Sequence, residues 1–87
     1  MMPTPEEMNA TQFLTVMAQH EMLLWLRDRR GWVQDAHLQE VMDLPAPDIA
    51  TIRQPLIIGG FVEVCLGACR LTEHGRMHAD ELLAGLL

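Results

Sequence analysis

Gly59-Gly60-Phe61-Val62-Glu63-Val64-Cys65-Leu66-Gly67-Ala68-Cys69-Arg70-Leu71-Thr72-Glu73-His74-Gly75-Arg76 is the stretch on which the reading of this chain turns. Two glycines in succession end a helix, because neither resists the backbone angles that break the helical ladder. Phe61 to Val64 and Cys69 to Thr72 have the composition of short strands, and Gly67 between them places the turn of a hairpin. Thr72 then stands where a helix cap belongs, immediately before a segment carrying Met77, Leu82, Leu83, Leu86 and Leu87. The order is helix end, hairpin, helix start.

Working back from Gly59, the pattern Ile49, Ile52 and Leu56 marks the inward face of a helix that begins near Pro47. Pro45-Ala46-Pro47 is a stiff turn, and before it a helix capped by Asp35 runs through Leu38, Val41 and Met42. Trp32-Val33 fits a short strand. The first helix starts at Thr4-Pro5-Glu6-Glu7, a threonine cap with proline at the first helical position, and ends at Gly31. Phe13, Val16, Met17, Leu23 and Leu24 form one apolar stripe on it. Met22, Trp25 and Leu26 lie outside that stripe, so the second half of the helix is apolar nearly all round and should be buried on more than one side.

This order resembles the winged helix-turn-helix domains of the MarR-like and ArsR-like kind. The specific residues are Gly60-Phe61-Val62-Glu63 followed, after one short hairpin, by Leu71-Thr72-x-x-Gly75-Arg76. The resemblance covers essentially the whole chain. It implies an α+β, mainly α, fold in the order helix, strand, helix, helix, hairpin, helix. One domain then spans residues 1–87: a first helix over 5–30, a helix-turn-helix over 35–59, a wing over 60–72 and a closing helix over 73–87.

Composition bounds the function. The hydrophobic share of 49% belongs to a globular chain, and no apolar run reaches membrane-spanning length. The amino terminus has no basic-then-apolar leader, so a cytoplasmic location without membrane contact is expected. The chain contains no serine, lysine or tyrosine, which removes serine nucleophiles, Schiff-base lysines and tyrosine acids. No enzyme activity and no cofactor are expected.

The resemblance implies a transcription regulator whose third helix meets DNA, with Thr51, Gln54, Arg53 and Arg70 as the available contacts. Glutamine can pair with adenine in the major groove. The formal charge of −6 opposes this, because a phosphate grip depends on cationic side chains releasing counterions. The wing tip, Cys65-Leu66-Gly67-Ala68-Cys69, is small and apolar. The other reading is a protein-binding winged helix that uses Pro55, Ile58 and Leu66. Winged-helix regulators of this kind pair through their terminal helices, and the apolar surplus at Met22, Trp25, Leu26, Leu82, Leu83 and Leu86 points to a homodimer. Cys65, Cys69, His74 and His78 form a C-x3-C-x4-H-x3-H series. Its central gap is much shorter than in zinc fingers, and the expectation is two apolar thiols and two surface histidines without metal.

Overall fold

The computed structural model describes residues 10–86, with side chains through residue 85. The expected helix start at Thr4, Pro5, Glu6 and Glu7 lies outside the described residues, as do Leu87 and the side chain of Leu86. The elements are α1 (Ala10–Arg27), β1 (Val33–Gln34), α2 (Asp35–Met42), α3 (Ala46–Ile58), β2 (Val62–Cys65), β3 (Ala68–Leu71) and α4 (Glu73–Leu86). The fold is α+β and mainly helical, and its strands form one antiparallel sheet in the order β1-β3-β2.

The Leu71-Thr72-x-x-Gly75 pattern has a physical basis at the junction of hairpin and closing helix. The Thr72 hydroxyl accepts a hydrogen bond from the Gly75 N–H (2.9 Å), the capping geometry that satisfies one orphan donor of α4. The same hydroxyl donates to the Gly60 carbonyl (2.5 Å), and the Thr72 N–H donates to the Phe61 carbonyl (3.0 Å). The first turn of α4 therefore rests on the backbone of Phe61. A Cβ at Gly75 would lie 1.8 Å from the Phe61 carbonyl oxygen, so only glycine allows that approach.

Strand pairing sorts the hairpin residues between two faces. Val62 opposes Leu71, and Val64 opposes Cys69, which in turn opposes Val33 on β1. Directly opposed residues share a face, and Val33, Val62, Cys69 and Leu71 all enter the core. Glu63 with Arg70, and Cys65 with Ala68 and Gln34, take the outer face. The strand expected at Trp32-Val33 is displaced by one residue and joins the hairpin, so the sheet has three strands. The turn residues Leu66 and Gly67 have φ of 49° and 76°. This is the primed two-residue turn whose twist matches its strands.

Helix boundaries differ from expectation: α1 ends at Arg27 rather than near residue 30, α3 begins at Ala46, within the expected stiff turn, and both ends of α2 differ. Asp35 does not cap α2; Gln34 stands before the helix without a side-chain cap, and Asp35 occupies the first turn. α2 ends at Met42 rather than at Leu44-Pro45, because Asp43 turns left-handed (φ 54°) and the Leu44 N–H closes on the Gln39 carbonyl (3.1 Å).

The apolar stripe of α1 is rotated from the expected one. Met22, Leu23 and Leu26 are buried, with Ala18 and Trp25 packed beside them, while Phe13 and Met17 are exposed. Met22 and Leu26, expected on a subunit interface, are thus core residues of the subunit itself. The inward face carries Gln19, whose amide donates to the Ile52 carbonyl (3.3 Å) and so ties α1 to α3. A polar residue on the buried side masks that side in a count of apolar positions.

Candidate interaction surface

The inward residues of α3 are Ile49, Ile52 and Leu56, as their spacing requires. Thr51, Gln54, Pro55 and Ile58 are exposed on the other side. The helix continues for a turn past Pro55, whose ring is tolerated because it lies on the solvent side. The Thr51 hydroxyl donates to the Pro47 carbonyl one turn back (3.0 Å), a local bond that engages its proton. Beside it runs a shallow groove shared with the first turns of α1, lined by Thr11, Leu14, Thr15, Leu44, Asp48 and Thr51.

Neither cation expected at this surface is free. Arg53 points inward: its Nη1 and Nη2 donate to the two Asp35 carboxylate oxygens at 2.7 and 3.2 Å, and its side chain is only 12% exposed. Burial works against the guanidinium charge, but Asp35 and the Cys69 sulfur together outweigh it and the Arg53 pKa is raised. The Cys69 thiol sits beside the same guanidinium; burial pushes its pKa up, with Arg53 pulling the other way. Arg53 therefore braces α3 against α2. Its Nε is buried without a hydrogen-bond partner among the described residues.

Arg70 lies on the outer face of the sheet, where it is ion-paired with Glu63 across the strands and stacked 4.4 Å above the Trp32 ring. Its charge is opposed where it stands. Beside the polar Asp48, Thr51 and Gln54, the α3 and hairpin-tip surface presents exposed apolar side chains. Ile58 is 77% exposed, Val64 45%, and Leu66 fully so. Leu66 adopts its left-handed backbone with a branched side chain at a position that asparagine or glycine fills at less cost.

The residues considered for metal do not converge. His74 and His78, one turn apart on α4, stack on the Phe61 ring at 4.7 Å each. Cys69 is buried on the core face while Cys65 is exposed on the outer one. Among the described residues no group of three or more His, Cys, Asp or Glu is placed to hold a metal ion.

Of the residues expected at a subunit interface, Trp25 and Leu82 line a groove of about 560 Å³ between α1 and α4, together with Met17, His20 and Leu24. Leu83 is half-buried on α4. Phe13, Leu14 and Met17 extend an exposed apolar ridge along α1 beyond that groove. Phe13 and Met17 belong to the apolar stripe of the sequence and Leu14 does not, since amphipathic spacing alone does not say which side of a two-sided helix is covered.

No helix among the described residues is long and apolar enough to cross a membrane. Comparisons with protein-family models, curated proteins and solved structures gave no match.

Proposed function

We propose that the chain is a winged-helix module that binds a protein through the exposed side of α3 and the hairpin tip. The observation that carries this reading is the charge state of that surface. Arg53 is held by Asp35 and Arg70 by Glu63, while Ile58, Val64 and Leu66 stand in solvent. A groove-reading helix needs cations to neutralise phosphates, and this one offers Asp48 instead. A leucine held at a strained, fully exposed turn position is costly to the fold and useful as an anchor for a partner's pocket.

The apolar ridge of Phe13, Leu14 and Met17, continuous with the groove at Trp25 and Leu82, supports self-association through α1 and α4. Two copies joined there would present two hairpin tips to one partner assembly.

The test is affinity capture from the native cell extract, with and without nuclease, comparing wild type with Leu66→Glu and Ile58→Glu. A protein retained by wild type after nuclease treatment, and lost by both variants, supports the reading. Specific binding to a duplex from the protein's own genomic neighbourhood, weakened by Gln54→Ala, would return the chain to the regulators.

A further inference from the structure

Arg53 is the one arginine of α3, and most of the others lie together elsewhere. An open groove of about 570 Å³ lies between the end of α1, β1 and α2, lined by Trp25, Asp28, Arg29, Arg30, Trp32 and His37 among others. It adjoins a smaller depression through Arg29, where Arg70 and Arg76 face Glu63 and Glu73. Four of the six arginines of the chain thus meet three carboxylates here, although acids outnumber arginines two to one overall. Both tryptophans of the chain line the same groove.

We propose that this groove docks an acidic peptide segment of a protein partner. The Arg30 side chain makes no hydrogen bond or ion pair within the described residues, and the Arg29 side chain has only the Trp25 ring, 4.5 Å from its guanidinium carbon. A guanidinium held over an indole face by its central carbon still has N–H groups to donate, and two of them match a carboxylate with parallel hydrogen bonds. Trp32, 45% exposed, supplies apolar surface for the intervening side chains.

Charge complementarity selects carboxylates spaced along a peptide over a phosphate backbone. One face of each indole is already covered by an arginine, Trp25 by Arg29 and Trp32 by Arg70, so stacking platforms for bases are reduced. Asp28, Glu63 and Glu73 interrupt the positive surface, and a continuous polyanion would meet them. This surface is separate from the α3 and hairpin-tip face, and the inference stands whether or not that face binds a partner.

Because the groove holds both tryptophans, and Trp32 lines it but not the α1–α4 groove, intrinsic fluorescence responds to its occupancy. The probe is an unstructured peptide of repeating Glu, Leu and Pro, compared with its Gln and Lys counterparts and with a thymidine oligonucleotide of similar length. The Glu peptide should change the emission saturably, with an affinity that falls as salt rises. Arg30→Glu, an exposed and unpartnered position that leaves the fold intact by circular dichroism, should weaken it by about tenfold or more. No emission change with the Glu peptide, equal binding of the Gln peptide, or tighter binding of the oligonucleotide would each overturn the proposal.

Discussion

Arg53 on α3 and Asp35 at the start of α2 meet through two hydrogen bonds, 2.7 and 3.2 Å, in a partly buried setting that also holds the Cys69 thiol. The pair links the two helices. Its members are not equivalent: removing the carboxylate strands a guanidinium whose Nε is already unsatisfied, whereas removing the guanidinium frees a carboxylate that is nearer to solvent. Asp35→Ala should therefore cost more stability than Arg53→Met, about 2–3 kcal/mol against about 1 kcal/mol. Urea unfolding midpoints of the two variants, and of the double variant, measure the difference. Equal losses would show that the pair acts only as packing.

Leu66 illustrates a position where stability and binding should part. Leu66→Asn places a residue suited to the left-handed conformation at φ 49° and should stabilise the fold by about 1 kcal/mol. The same variant should lose the captured partner. Thermal unfolding and capture measured on one preparation give both readings, and a variant that loses stability would contradict the strain at this turn.

Gly75→Ala tests the approach of α4 to the hairpin. The added methyl would meet the Phe61 carbonyl oxygen at 1.8 Å, and that atom is backbone that also accepts the Thr72 N–H. Nothing flexible can give way. The expected loss is about 3 kcal/mol or more, read from the unfolding midpoint. Gly85→Ala, with open space at its Cβ, should be neutral or slightly stabilising, since alanine favours helix.

The two thiols should behave oppositely toward alkylation. Cys65 is exposed and should be modified by iodoacetamide under native conditions, whereas Cys69 is fully buried and should react only when the chain opens. Burial raises the Cys69 pKa above its unfolded value. The neutral thiol is therefore favoured in the folded state, and its contribution is fully present below the ordinary thiol range and lost as pH rises from there through the raised folded value. Cys69→Ala should flatten that alkaline decline in unfolding free energy. An unchanged slope would assign the decline to other groups.

Self-association through α1 predicts that Met17→Glu lowers the sedimenting mass, with Phe13→Glu reinforcing the effect. Both side chains are exposed in the subunit, so neither change disturbs its core. Trp25→Glu is less informative, because that ring also packs against core residues. A wild-type chain that sediments as a monomer at high micromolar concentration would remove the proposed subunit contact.

What could be read from the chain alone is local and covalent in origin. The hairpin between two helices follows from Gly59-Gly60, the Leu66-Gly67 turn and the Thr72 cap, each of which restricts nearby backbone angles whatever lies around it. Ile49, Ile52 and Leu56 announced the inward face of α3 because every apolar residue in that spacing falls on one side. Tertiary structure decided the rest. The covered side of α1 became clear only once Gln19 reached the Ile52 carbonyl and left Phe13, Leu14 and Met17 outside. Arg53 and Arg70 read as free cations in the sequence, and packing gave them Asp35, 18 residues away, and Glu63, 7 residues away. The meeting of Trp25 and Trp32 with four arginines likewise depends on where α1 ends against the sheet and α2. Backbone preferences act between neighbours in sequence, but charge pairing and burial act between neighbours in space, and only the folded chain says which residues those are.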